Sequence, residues 1–149
     1  ENTDNPQRLT GIAEALNTYS RVPAVFPVHP RTKAALQAND IQLKSHIRQI
    51  DAVGYLDMLS LEKKCRFIVT DSGGVQKEAY FMGKPCITLR DQTEWVETAE
   101  SGWNSVVGTD KDRILHALQT VQAANKRPAF YGNGKAGKKI IDTIMEYQS

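Results

Sequence analysis

The 149-residue chain is the size of one domain, and its 40% hydrophobic and 24% charged residues are typical of a folded protein. A formal net charge of +2 gives no reason to expect nucleic acid or a membrane surface as a partner. No apolar run is long enough to cross a bilayer, and Cys65 and Cys86 lack metal-ligand spacing. We therefore expect a cytoplasmic protein with both thiols in its core and with neither a metal nor another cofactor.

Helices and strands are predicted to alternate along the chain. Asp4 or Asn5 caps a first helix that has Pro6 at its first position and ends near Tyr19. There follow strands at 25–28, 47–53, 66–70, 85–89 and 105–107, separated by helices at 32–38, 54–64, 75–82 and 96–101, and then helices at 111–125 and 135–147. This alternation predicts an α/β fold, a parallel sheet with helices on both faces.

The most informative stretch covers residues 67–79. Apolar β-branched residues open it, as in a strand buried on both faces, and Ser72, Gly73 and Gly74 then precede a helix. The first amides of a helix attract anions, and glycine lets a phosphate approach the backbone closely. Glu78 lies one helical turn after Gly74 and can accept hydrogen bonds from a ribose diol. The pattern favours a nucleotide site.

Two other polar clusters follow strands of the predicted sheet. Ligands of an open parallel sheet bind beyond the carboxyl ends of its strands, which is where His29 and residues 90–94 fall. Arg90 offers a forked donor for a diphosphate. His29 can equally be a hydrogen-bonded structural residue.

The other residues also have structural alternatives. Asp71 or Ser72 can cap the helix while the glycines serve only the turn. Arg90 can form an ion pair with Asp91 or Glu94 that merely fixes the loop. Composition and spacing leave these alternatives open.

Motifs spread over nearly the whole chain resemble those of one family. They are Pro27-Val28-His29-Pro30, Gly54-Tyr55-Leu56, TDSGGVQKEA from Thr70, Gly83-Lys84-Pro85, LRDQTE from Leu89, and YGNGKA from Tyr131. The sequence resembles the non-hydrolysing UDP-N-acetylglucosamine 2-epimerases, two-domain enzymes of the GT-B architecture. The resemblance implies that residues 1–149 form the UDP-binding, Rossmann-like C-terminal domain of such an enzyme.

The resemblance also implies a chemistry. These enzymes eliminate UDP across the C1–C2 bond, hold a 2-acetamidoglucal intermediate and add UDP back with C2 inverted. By match to the family motif, Ser72, Gly73 and Gly74 bind the diphosphate and Glu78 binds the ribose. The implied partner is UDP or a UDP-sugar, the intact enzyme is expected to be a homodimer that supplies surface polysaccharide precursors, and no cofactor is needed.

Further contacts follow from the same match. The segment that holds Tyr55 and Met58 contacts uracil, and Arg90, Thr93 and Glu94 line the sugar and phosphate region. His29 completes the predicted nucleotide site. No catalytic residue is assigned within the chain, because the family's proton-transfer carboxylates lie in the N-terminal domain. We expect the isolated chain to bind UDP weakly and to catalyse nothing.

The chain departs from the family pattern at two places. Trp95 stands where the commonest form has an arginine, as in relatives that use other UDP-sugars such as 2,3-diacetamido uronic acids. The family pattern also places the first strand of the domain, with a His-Arg pair, before Glu1. Removal of that strand leaves a slot about 10 Å wide between the strands at 25–28 and 67–70, twice the usual spacing. The two strands could instead close up and pair directly, or another chain could fill the slot, but an open gap is expected.

Two rival functions remain at this point. A GT-B glycosyltransferase also binds UDP with a glycine-rich turn and a ribose carboxylate. A stand-alone nucleotide-binding module without chemistry is the second. The SGGVQKEA and RDQTE motifs favour the epimerase.

Overall fold

The computed structural model describes residues 2–147, and the predicted alternation of helices and strands is confirmed there. A short 3-10 turn at Asn2–Asp4 opens this part of the chain. The helices are α1 Pro6–Thr18, α2 Pro30–Ala38, α3 Tyr55–Lys64, α4 Gly73–Met82, α5 Val96–Glu100, α6 Lys111–Thr120 and α7 Ala136–Tyr147. The strands are β1 Ala24–Val28, β2 Ile47–Asp51, β3 Ile68–Thr70, β4 Cys86–Thr88 and β5 Asn104–Val106.

Local capping and tertiary contacts set the helix ends. Asn5, rather than Asp4, caps α1, since its Oδ1 accepts a hydrogen bond from the Arg8 amide at 3.2 Å. Helix α6 ends at Thr120, so its predicted extension to residue 125 is wrong. The chain beyond it is held by another contact, because Trp103 Nε1 donates to the Lys126 carbonyl at 2.8 Å. Tertiary packing overrides local helix propensity there.

The five strands form two parallel sheets. β1 pairs with β2, and β4 lies between β3 and β5. The spatial order β2-β1 followed by β3-β4-β5 is that of a doubly wound half-domain without its first strand. Parallel strands joined by helical crossovers place all their carboxyl ends at one edge, and that edge carries the residues discussed below.

Helices cover both faces of the β3-β4-β5 sheet, which confirms the three-layer arrangement. On one face, α1 and α6 pack around Ile87 of β4 with Ile12 and Ile114. On the other, Ala79 of α4 packs against Ile68 and Cys86, the second of which is 2% exposed. Both cysteines are free thiols, and burial raises the pKa of Cys86 to about 12. Cys65 is only partly buried.

A cavity of about 710 Å³ separates β1 from β3. Val25 and Phe26 of β1, with Phe67 and Val69 at β3, are among the residues that line it. No ladder hydrogen bond joins the two strands in the described part of the chain, so direct pairing is excluded. The slot expected from the sequence is therefore present as this cavity between β1 and β3.

The first described residue lies at the carboxyl edge of the larger sheet. Asn2 is 4% exposed, and its Nδ2 donates to the Leu89 carbonyl at 2.7 Å and to the Asp71 carboxylate at 3.2 Å. The chain therefore enters the domain across the ends of β3 and β4. This buried contact was not anticipated from the sequence.

Candidate functional site

Two predicted polar clusters meet at the carboxyl ends of β3 and β4. The Leu89 amide donates to the Thr70 carbonyl at 2.8 Å, which keeps the strand ends together where the polar residues begin. A Cβ added at Gly73 would lie 3.4 Å from Glu94 Oε2, so the glycine turn and the 90–94 loop are in direct contact. The structure thus brings both clusters to one place, as predicted.

The helix that starts at the glycine turn presents unpaired amides. Ser72 is its N-cap, with the Val75 amide 3.5 Å from Ser72 Oγ, and the first main-chain bond runs from the Gln76 amide to the Ser72 carbonyl at 3.1 Å. The amides of Gly73 and Gly74 precede that bond, where the positive end of the helix dipole attracts anions. Ser72 therefore caps the helix, as the structural alternative proposed. This cap leaves the Gly73 and Gly74 amides available to a ligand.

The two glycines are not explained by the turn. Neither has a positive φ, so the backbone conformation does not require glycine at either position. A Cβ at Gly74 would meet nothing nearer than Ser72 Oγ at 3.8 Å. An alanine fits the protein itself at Gly74, whereas a phosphate lying against the helix amides needs that space. The geometry at Gly74 supports the interpretation that this glycine serves a ligand.

Trp95 binds the glycine turn through its indole. Its Nε1 donates to the Gly73 carbonyl at 2.7 Å, and Lys77 Nζ lies 4.3 Å from the centre of its ring system. The same ammonium lies 4.6 Å from the ring of Tyr131, which meets Trp95 edge-on at 5.8 Å. The sequence marked Trp95 only as a departure from a pattern. Its indole donor and the cation–π pair were missed, because Trp95 lies 22 residues beyond Gly73 in the sequence and only the fold brings them together.

The 90–94 loop is held by an ion pair and by a hydrogen bond to α4. Arg90 donates to both carboxylate oxygens of Glu94, at 2.8 and 3.0 Å, and these bonds hold the pKa of Glu94 below its usual value. Arg90 therefore forms the ion pair that the sequence left open as a structural alternative, and its partner is Glu94. Thr93 donates to Gln76 Oε1 at 2.6 Å, which ties the loop to α4.

Helix α3 brings a third set of predicted residues to α4. Tyr55 is exposed at the start of α3, and Met58 is half-buried one turn later. Helices α3 and α4 pack against each other, and loss of hydration and then the Glu78 charge raise the pKa of Tyr55. The ribose and uracil candidates therefore share one surface beside the glycine turn.

His29 serves a different local purpose. It caps α2, where its Nδ1 accepts a hydrogen bond from the Arg31 amide at 3.2 Å, which is the structural role that the sequence left open. His29 and Asp71 both line the slot, on its opposite sides. Within residues 2–147, no group of three or more histidine, cysteine or acidic side chains could hold a metal ion. No helix in that range is long and apolar enough to span a bilayer.

A Rossmann-like half-domain with unpaired amides at a helix start beyond the carboxyl end of a strand is typical of nucleotide-binding domains. The sequence profile of the UDP-N-acetylglucosamine 2-epimerase family matches residues 1–145. The chain therefore belongs to that family.

Relatives of known function support the assignment. The chain is 45% identical, over 98% of its length, to the UDP-2,3-diacetamido-2,3-dideoxy-D-glucuronate 2-epimerase of Pseudomonas aeruginosa. It is 43% identical, over 99% of its length, to the UDP-N-acetylglucosamine 2-epimerase of Methanocaldococcus jannaschii. In both cases it spans 42% of the relative's own length.

Solved structures agree with the fold. The M. jannaschii enzyme superposes with a TM-score of 0.83 at 39% identity, over 97% of this chain and 43% of that one. Its complex with UDP-N-acetylglucosamine and UDP superposes with a TM-score of 0.81 at 40% identity, over 97% and 42%. The GT-B fold assignment is confirmed, and the chain spans about 42% of the length of these relatives.

Proposed function

We propose that the chain is the UDP-binding domain of a UDP-sugar 2-epimerase that inverts C2 by elimination and re-addition of UDP. The observation that carries the proposal is the helix start at Ser72, where Gly74, which neither its φ nor its packing requires to be glycine, leaves room beside unpaired amides. Preorganised donors of this kind stabilise the negative charge that develops on a departing diphosphate.

The proposed binding mode uses three elements. The Gly73 and Gly74 amides with Ser72 hold the diphosphate, and Glu78 accepts hydrogen bonds from the ribose hydroxyls. The α3 backbone around Tyr55 and Met58 contacts uracil, as its position beside Glu78 supports. Arg90, Thr93 and Glu94 line the sugar side. His29 and Asp71 border the site from the two sides of the slot.

The substrate class follows from the relatives and from Trp95. We propose a UDP-2-acetamido sugar, with 2,3-diacetamido uronic acids favoured because the Pseudomonas relative is named for such a substrate. An enzyme of this class supplies precursors of surface polysaccharides in the cytoplasm, and the family resemblance supports a homodimer. We use the term parent polypeptide for the full reading frame that contains these residues. The proton-transfer groups and the remaining strand of this domain belong to that longer polypeptide.

An activity measurement on the parent polypeptide tests the reaction. Incubation with UDP-N-acetylglucosamine or with its 2,3-diacetamido uronic acid counterpart is expected to give the C2 epimer, detected by NMR in D₂O as exchange at C2. We expect kcat/KM to be at least about tenfold higher for the diacetamido substrate, an effect of ~1.4 kcal/mol. Equal turnover of both would leave Trp95 with its packing role alone. Sugar transfer to an acceptor without C2 inversion would instead identify a glycosyltransferase.

Removal of the ribose carboxylate tests the binding mode. We expect Glu78→Ala combined with Ser72→Ala to weaken UDP binding by roughly 1–3 kcal/mol, the usual scale for hydrogen bonds to charged groups. Titration calorimetry on the parent polypeptide measures the affinity. Asp112→Ala is a suitable control, since Asp112 is an exposed carboxylate on helix α6, which makes none of the proposed contacts. Unchanged affinity of the double variant would show that UDP binds elsewhere.

A further inference from the structure

Helix α3 buries a carboxyl group that has no hydrogen-bond donor. Glu62 follows Met58 by four residues on the face of α3 that packs against α4. It is 3% exposed, and neither of its carboxylate oxygens has a partner among the described residues. A buried carboxylate without donors is strongly disfavoured, whereas a neutral carboxylic acid is tolerated.

The group that faces Glu62 is the proposed ribose carboxylate. Glu78 lies on α4, the helix that packs against α3, and its charge acts on the buried Glu62 carboxyl group. Two ionised carboxylates have only acceptors to offer each other, so a bond between them requires one proton. Glu62 is the more deeply buried of the pair and is the natural site for that proton. Burial, followed by the Glu78 charge, raises the pKa of Glu62 to about 7.

The other ionisable groups around Glu62 do not change charge near neutral pH. These groups are Tyr55 at the start of α3, Cys65 at its C-terminal end and Cys86 on β4. Burial raises the pKa of all three, which keeps them neutral. Lys84, in the turn after α4, donates to the Cys65 carbonyl at 2.7 Å and contributes a positive charge nearby.

We propose that Glu62 is a positioning residue for the nucleotide site: as a neutral acid it donates a hydrogen bond to Glu78 and directs that carboxylate toward the ribose hydroxyls. The inference rests on the proposed UDP function. When Glu62 ionises, the donor is lost and two like charges face each other, so Glu78 turns away from the ribose. UDP affinity therefore falls as the pH rises through about 7.

Glu62→Gln in the parent polypeptide separates this role from a structural one. The glutamine amide keeps the shape and donates to Glu78 at every pH. We expect the ratio of the UDP dissociation constants, wild type over variant, to be near 1 at pH 6 and to rise about tenfold by pH 8.5, the size of one charged hydrogen bond. The ionisation of UDP itself cancels in this ratio. With 2′-deoxy-UDP, which lacks one ribose donor, the rise should be clearly smaller.

Each outcome decides a specific point. If UDP does not bind the wild type, the proposed function is wrong. If UDP binds and Glu78→Ala weakens its binding, but the ratio of dissociation constants for wild type and Glu62→Gln does not change with pH, only the role of Glu62 is wrong. Should Glu62→Gln fail to fold, a ¹³C NMR titration of the Glu62 carboxyl group in the wild type gives the answer. An inflection near 7 supports the proposal, and one near the ordinary 4.5 contradicts it.

Discussion

Gly74→Ala should stabilise the protein and at the same time abolish most of its UDP binding. Alanine is favoured over glycine inside a helix by roughly 0.5–1 kcal/mol, and the nearest atom to the new Cβ would be Ser72 Oγ at 3.8 Å. The same methyl group would occupy the space that a phosphate needs against the α4 amides. We expect the UDP dissociation constant to rise at least about thirtyfold, or ~2 kcal/mol.

The control for this variant is built into the chain. Gly137 lies at the same position in the first turn of α7, with nothing within 4 Å of an added Cβ. Gly137→Ala should give a similar stabilisation and leave UDP affinity unchanged. Chemical denaturation and titration calorimetry on the parent polypeptide measure both quantities. Unchanged UDP affinity in Gly74→Ala would mean that the diphosphate does not approach this helix.

The largest expected effect on stability comes from filling the slot. A strand inserted between β1 and β3 would run parallel to both and end near Asn2, at the carboxyl edge where the chain enters the domain. Burial of an apolar side chain contributes about 2.5 kcal/mol, and ordering one residue costs about 1.5 kcal/mol. A strand of five residues, the length of β1, should therefore add about 5 kcal/mol to the free energy of unfolding.

A fusion experiment measures this effect. Five valine and isoleucine residues joined ahead of Glu1 should raise the free energy of unfolding, and should raise Tm by roughly 10–20 °C. A glycine-serine segment of equal length is the control, because it can form the same backbone bonds with little apolar burial. Size-exclusion chromatography checks that the two fusions have the same oligomeric state as the chain without an added segment. Equal stability of the two fusions would show that the slot does not accept a strand.

Regular patterns made most of the fold predictable. The apolar strand before the glycine turn, the capping residue Asn5 and the strand-helix alternation are local signals, and the structure confirms the elements they predict. The end of α6 was not predictable in this way, because a distant contact from Trp103 holds the chain beyond it. Local propensity carries no information about that contact.

The sequence predicted where the candidate site lies, but it did not predict the side-chain contacts that hold the site in place. Sequence motifs indicated the glycine turn and the 90–94 loop, which the structure brings together. They did not reveal the indole of Trp95 on the Gly73 carbonyl, or the burial of Glu62 beside Glu78. Both depend on how α4 meets its neighbours, so residue type and spacing alone cannot indicate them.

An NMR titration of the ¹⁵N-labelled parent polypeptide with UDP tests the central claim most directly. Amides that hydrogen-bond a phosphate shift strongly, and the account predicts that the Gly73 and Gly74 amides move most, with Val75 close behind. Smaller shifts are expected along α3 around Met58. Saturable UDP binding that leaves the Gly73 and Gly74 resonances in place would contradict the assignment of the diphosphate to this helix.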